Sequence, residues 1–147
     1  MSSPSTGAPS VVRPSLGRVV RTGVTAALAA AVVTAVAAYV IGQVFAIDSA
    51  FQPMTPPAVA AVTILYTMAG TAVLAVVCRL AANPRRTFIQ VALVGLALSF
   101  VPQVMLLATG MEVPLGEFTA RNVLALSSLH FVAAAVALPI MLRIFRS

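Results

Sequence analysis

The chain has 147 residues, of which 61% are hydrophobic and 8% are charged, and its formal net charge is +6. This composition leaves too little polar surface for a water-soluble domain. The nine basic residues are all arginines that flank apolar segments without forming one binding face, which argues against a nucleic-acid-binding protein.

The first part of the chain is polar. Residues 1–17 are rich in Ser, Pro and Gly and cannot bury enough apolar area to order themselves, which predicts a disordered cytoplasmic tail. The apolar run that follows is longer than the ~7–15 residues of a cleaved signal peptide. It predicts a retained helix over about 19–47, the first of a membrane domain over residues 18–147.

Three further apolar segments predict helices over about 57–79, 86–109 and 120–143. Each is long enough to cross a ~30 Å hydrocarbon core, which needs about 20 helical residues. Polar, proline-containing stretches separate them, and helices rarely continue through such sequences. The predicted fold is all-α, a polytopic four-transmembrane-helix bundle.

The arginines predict the orientation of this bundle. By the positive-inside rule, the segment ends richer in arginine face the cytoplasm. One side carries only Arg121, whereas the other carries Arg13, Arg18, Arg21, Arg79, Arg85, Arg86, Arg143 and Arg146. Both termini and the middle connection are therefore predicted to be cytoplasmic, in a multi-pass protein of the inner (plasma) membrane.

The only histidine, His130, lies near the middle of the last apolar segment. Ionisable groups at that depth are costly and usually face a bundle interior, a cavity or a partner. Ser127 precedes it by three residues and shares its helix face. His130 is the first candidate for function, and hydrogen bonding within the bundle, proton transfer and ligand contact all remain open.

Other intramembrane polar residues are candidates for bonds between helices, among them Gln43 and Gln103. A shift of 64 residues aligns Leu65–Arg79 with Leu129–Arg143 and places Tyr66 on His130. The alternative to a duplicated hairpin is chance matching of alanine-rich sequences. Tyr66 joins the candidates on this basis.

No cofactor or metal is predicted. His130 and Cys78 are too few for a zinc site, a second axial histidine for haem is missing, and all acids fall outside the apolar segments. Cys78 is interpreted as a small buried apolar side chain.

Small residues and prolines complete the pattern. A stripe of small side chains recurs every four residues along the first helix, which permits close helix contact: Ala26, Ala30, Thr34, Ala38 and Gly42. Pro102 and Pro139 each remove a backbone hydrogen bond and predict kinks in the third and fourth helices.

The chain resembles a known family. The residues concerned are Arg85, Arg86 and Thr87 at the start of the third helix, Ser99 and Pro102 within it, and the closing sequence SSLHFVAAAVALPIMLR. Together they resemble a family of uncharacterised small actinobacterial membrane proteins, the domain of unknown function 6069, over roughly Arg18 to Arg146. The resemblance implies a four-helix membrane protein and no established activity.

Two functions of different kinds follow. The first is a non-enzymatic accessory, assembly or interaction subunit, whose partners are the lipid bilayer and either further copies or another membrane protein. The alternative is a small transporter or a lipid- or small-molecule-binding protein with a cavity near His130. A membrane enzyme ranks third, because no complete catalytic set is present.

Overall fold

The computed structural model describes residues 13–110 and 114–146, and within those ranges every regular element is helical. Four helical segments are long and apolar enough to cross a membrane. These spans are Leu16–Val44, Pro56–Leu80, Pro84–Thr109 and Ala120–Phe145. The predicted all-α fold with four such helices is confirmed.

The first helix, α1, runs from Leu16 to Val44 and is the longest. Ser15 caps it, with its hydroxyl oxygen accepting from the Arg18 backbone N–H at 3.4 Å. The helix thus begins two residues inside the predicted tail, of which residues 1–12 lie outside the described part of the chain. It ends three residues before the predicted boundary, and Ala46 beyond it has a positive φ of 47°.

The second helix, α2, spans Pro56–Leu80 and follows a short 3₁₀ turn at Gln52–Met54. Prolines occupy its first turn, where a missing N–H costs no helical hydrogen bond. Extended backbone at Ala81 ends the helix next to the connection that leads to the third span.

The third span consists of two helices, α3 over Pro84–Ser99 and α4 over Val101–Thr109. Asn83 caps α3 by accepting from the Arg86 backbone N–H at 3.3 Å. Phe100 interrupts the span and is both the last cap of α3 and the first cap of α4. The break therefore lies two residues before Pro102, which falls in the first turn of α4.

The last helix, α5, spans Ala120–Leu142 and is followed by a 3₁₀ turn at Arg143–Phe145. The Thr119 side chain caps it by accepting from the Asn122 N–H at 3.2 Å. The helix continues through Pro139. Proline has no backbone N–H to donate, but the helix is not interrupted there.

The helix α1 lies between α2 and α5 and contacts both along much of its length. Four members of the small-residue stripe, Ala26, Ala30, Thr34 and Ala38, are at most 1% exposed. Gly23, one turn earlier, lies directly against the Thr71 side chain of α2. The predicted use of the stripe for close helix contact is confirmed, except at Gly42, where an added methyl group would meet no neighbour within 4 Å.

Each end of the molecule has its own apolar core. At one end the core is built around Val19, Leu74, Phe88 and Met141. We call this the arginine end, because the described arginines other than Arg121 lie at or near it: Arg13, Arg18, Arg21, Arg79, Arg85, Arg86, Arg143 and Arg146.

The opposite end, which we call the loop end, contains the connections 45–55 and 114–119. Its apolar core includes Ala38, Phe51 and Leu129. The two connections meet where the Gln52 N–H donates to the Leu115 carbonyl at 3.0 Å. The rings of Phe51 and Phe118 pack edge to face, with centroids 5.2 Å apart.

The third span packs much less tightly than the other three. Phe88 and Gln103 are its only buried residues among those described. Phe88 joins the core of the arginine end, and Gln103 contacts α5 through polar atoms. The span is therefore attached through few buried side chains, one of them apolar and one polar, together with the Phe100 ring, which contacts α5.

Candidate functional site

A group of polar side chains joins α4 to α5 near the middle of the fold. It consists of Ser99, Gln103, Ser127 and His130, and we call it the Gln103 cluster. The Ser127 hydroxyl donates to Gln103 Oε1 at 3.1 Å, and Gln103 Nε2 lies 3.3 Å from His130 Nε2. Gln103 Nε2 also donates to the Ser99 carbonyl at 3.3 Å. Two helices are thus bonded to each other through one amide.

Both ring nitrogens of His130 have partners. Its Nδ1 lies 3.0 Å from the Leu126 carbonyl, which can only accept, and Gln103 Nε2 lies 3.4 Å from Nδ1 and 3.3 Å from Nε2. In the tautomer with its proton on Nδ1, the ring donates to the Leu126 carbonyl. Nε2 is then an acceptor and receives a hydrogen from Gln103 Nε2. In this arrangement the imidazole and the Gln103 amide satisfy each other with no charge and no missing partner.

Aromatic rings cover the cluster on one side. The Phe100 ring lies 5.4 Å from the His130 ring and 5.3 Å from the Phe131 ring, centroid to centroid. Phe100 is also where the third span is interrupted. The residue at the helix break therefore places its aromatic ring against the imidazole, three positions before Gln103 in the sequence.

The chemistry open to this cluster is hydrogen bonding. Among the described residues no three His, Cys, Asp or Glu side chains are grouped closely enough to hold a metal ion.

Two of the predicted candidates lie elsewhere. Tyr66 is 71% exposed on the outer face of α2, whereas His130 is half-buried against α4. Gln43 is exposed near the end of α1. The structure brings Gln103, Ser127 and His130 together and leaves Tyr66 and Gln43 apart from them.

The polar contacts that sequence reasoning missed lie outside the Gln103 cluster. Thr34 and Thr63 hydroxyls are 3.1 Å apart and join α1 to α2 in a buried position. Asn122 Nδ2 donates to the Glu117 carbonyl at 2.8 Å. Thr34 belongs to the small-residue stripe, which was a usable signal. Thr63 stands among apolar residues and Asn122 follows Arg121 at the edge of a span, and nothing in the pattern singles either of them out.

Asn122 Oδ1 is the one buried side-chain polar atom without a hydrogen-bond partner in the described part of the chain. The sequence has two acids in the nearby connection, Glu112 and Glu117, and Glu112 lies outside the described residues.

Arginines form a second feature at the arginine end. A surface cleft of about 310 Å³ lies between the start of α1 and the end of α5, and Arg18, Arg21 and Arg143 line it. A second cleft of about 370 Å³ lies at the start of α3 beside Arg85 and Arg86. Arg121 lies at the loop end, at the start of α5.

These observations define a class, a helical protein with four helices apolar and long enough for a multi-pass membrane protein. The chain belongs to the family described as a family of unknown function, DUF6069, whose model matches residues 12–147. The match confirms the family resemblance. No curated protein and no solved structure matches the chain.

Proposed function

We propose that this chain is a non-enzymatic integral protein of the inner membrane, an accessory or assembly subunit that presents its third span to a partner. One observation carries the proposal: only Phe88 and Gln103 of that span are buried. The exposed face of the span, which includes Leu93, Val94 and Leu98, is available to a helix of another protein or of a second copy.

The weak packing of the third span matters more in a bilayer than in water. Lipid chains are as apolar as leucine, so apolar contact alone does not drive helices together there, and close packing and polar bonds do. The third span has little close packing, so the Gln103 cluster becomes a main attachment. A span held in this way can rearrange against a partner without disturbing the α1, α2 and α5 core.

The closed bonding of the Gln103 cluster supports a structural role for His130. A catalytic or transport group needs a partner that changes during the cycle, and here every polar atom of the amide and imidazole is already paired within the fold. The same proposal includes an actinobacterial source, which the family resemblance supports. It also includes cytoplasmic termini, which the eight arginines at one end support.

Site-specific photo-crosslinking in cells tests the proposed interaction surface. Leu98 on α3 and Leu65 on α2 are 62% and 67% exposed and lie about equally deep, so a photoreactive residue can replace either. We expect a protein adduct from position 98 and only lipid adducts from position 65. The mass of the adduct distinguishes a second copy from another protein, and lipid adducts alone at both positions would contradict the proposal.

The alternative is a small transporter or a lipid- or small-molecule-binding protein that uses a cavity beside His130. The interruption at Phe100 favours it, because a broken helix leaves backbone groups near the imidazole. Substitution His130→Ala separates the two proposals: an accessory subunit keeps its crosslinked partner, whereas a carrier or binding protein loses ligand.

The orientation can be measured independently. An impermeant maleimide should label a cysteine placed at Leu115 in intact cells, and one placed at Arg13 only after the membrane is opened. The reverse pattern would place the arginine end outside.

A further inference from the structure

The cleft between the start of α1 and the end of α5 is a surface feature that the proposed interaction does not use. Six described residues line it: Arg18, Arg21, Thr22, Thr25, Ile140 and Arg143. Its volume of about 310 Å³ falls within the lower range of small-molecule sites. It is an open cleft at the surface, so its occupant must come from the surroundings of the protein.

The cleft collects positive charge from both ends of the sequence. Arg21 lies in the second turn of α1 and Arg143 directly follows α5, so the packing of α1 against α5 brings the two guanidinium groups to one cleft. Both side chains belong to exposed residues, and the described lining contains no carboxylate. Arginine presents its donors in a planar fork that suits phosphate oxygens, so the cleft favours a phosphate group.

An apolar strip continues from the arginines towards the middle of α1. Thr25, Leu28 and Val32 follow Arg21 at intervals of four, three and four residues and therefore share its helix face. Leu28 is 57% exposed and Val32 is 65% exposed. Ile140 lies about 4.5 Å deeper along α5 than Arg143, at the helical rise of 1.5 Å per residue. The arginines thus lie where a lipid headgroup would be, and the exposed apolar side chains lie deeper, where its acyl chains would be.

We propose that this cleft binds an anionic phospholipid. Arg21 and Arg143, with Arg18 beside them, contact the oxygens of its phosphodiester, and an acyl chain lies along Leu28 and Val32. Basic clefts between helices at a membrane surface are suited to such headgroups. A free phosphate would use the arginines alone, and the apolar strip is what points to a lipid.

Native mass spectrometry of the full chain in detergent tests the site, with phosphatidylglycerol and phosphatidylcholine of equal chain length as probes. Both lipids carry a phosphodiester, but the quaternary ammonium of phosphatidylcholine cancels its charge and is repelled by the arginines. We therefore expect the wild-type protein to bind phosphatidylglycerol about tenfold more tightly or better. The variant Arg21→Gln/Arg143→Gln should lose this preference. The matched variant Arg79→Gln/Arg146→Gln removes the same charge outside the cleft lining and should keep it.

Three results would overturn the proposal. They are equal loss of the preference in both double variants, no preference in the wild-type protein, and full displacement of the lipid by inorganic phosphate or glycerol phosphate at comparable concentration. The last result would assign the site to a soluble phosphate.

Helix content from circular dichroism verifies that each variant is folded. If the cleft double variant does not fold, the single variant Arg21→Gln tests the site instead. This residue is exposed, and its loss should weaken phosphatidylglycerol binding about threefold or more and phosphatidylcholine binding by less. An unchanged affinity for phosphatidylglycerol would contradict the site.

Discussion

At the scale of single residues, Gln103 organises the polar centre of the fold. Its amide accepts from Ser127 on α5, donates to the Ser99 carbonyl on its own span, and donates to His130. His130 has one further bond, to the carbonyl of Leu126 within its own helix. The amide is therefore the link between helices, and the histidine is one of its two partners on α5.

Replacing this amide should weaken the attachment of the third span. We expect Gln103→Leu to lower the free energy of unfolding in mixed micelles by about 1 kcal/mol, a typical value for a hydrogen bond between membrane helices. His130 Nε2 would lose its donor. Gln90→Leu, an exposed glutamine of the same span, should change stability by less than about 0.5 kcal/mol and is the control.

A double-mutant cycle with His130→Leu separates the bond from general packing. We expect the two substitutions to be coupled by about 0.6 to 1.7 kcal/mol. Additive effects would mean that Gln103 and His130 act independently, contrary to the geometry.

At the scale of helices, α1 depends on how closely its neighbours approach. A methyl group built on Gly23 would overlap the Thr71 side chain, whereas one built on Gly42 of the same helix meets open space. Close packing therefore explains the absence of a side chain at Gly23 but not at Gly42. Only Gly23 is required by the crossing of α1 and α2.

Alanine at these two glycines should act in opposite directions. We expect Gly23→Ala to destabilise the protein by about 1 to 3 kcal/mol, because overpacking forces the two helices apart. Gly42→Ala should leave stability unchanged or raise it by up to about 1 kcal/mol, since alanine is the better helix former. Thermal unfolding of both variants in the same detergent measures the difference. Equal loss in both would show that α1 does not cross α2 at Gly23.

The helices could be predicted from the sequence because a long apolar segment is a local property. The difference in their packing could not, since all four spans are similarly apolar and hydropathy does not distinguish a face in contact with protein from one in contact with lipid. Pro102 indicated an irregular third helix, but the contacts of the Phe100 ring with His130 and Phe131 could not be read from the sequence. Those contacts join residues about thirty positions apart.

The candidate site was predictable in part for the same reason. His130 stood out as the only histidine, near the middle of a span whose arginines lie at its ends, and Ser127 shares its face by helical spacing. Gln103 was one of several polar residues suited to bonds between helices. Gln103 is the common partner because of how α4 is rotated about its axis, and Tyr66 lies outside the cluster because of how α2 is rotated. No local sequence pattern specifies these rotations.

At the scale of the whole molecule, the loop end is closed by contacts between distant connections. The Gln52 N–H bonds to the Leu115 carbonyl, and Gly116 beside it has a φ of +103°. A methyl group on Gly116 would lie 3.0 Å from Phe51 Cα and 3.1 Å from the Ala50 carbonyl oxygen. Glycine is required there both by the backbone conformation and by the approach of the other connection.

Opening this contact should be visible at one amide. We expect Gly116→Ala to speed hydrogen exchange of the Gln52 N–H by about tenfold or more, since a left-handed conformation alone costs about 1 to 2 kcal/mol for a non-glycine residue. Gly110→Ala provides the control, because Gly110 also has a positive φ, of 59°, but open space around it. Unchanged exchange at Gln52 in Gly116→Ala would contradict the closed loop end.

The position of α1 between α2 and α5 also has a consequence for biosynthesis. The helices α1 and α2 are neighbours in sequence and can pair as soon as both leave the ribosome. The face of α1 that meets α5 stays uncovered until the last helix has been made, because the third span does not replace it. A chain cut short before α5 would therefore display this face of α1 to other helices and to membrane proteases, which makes synthesis of the last helix the step that protects the first.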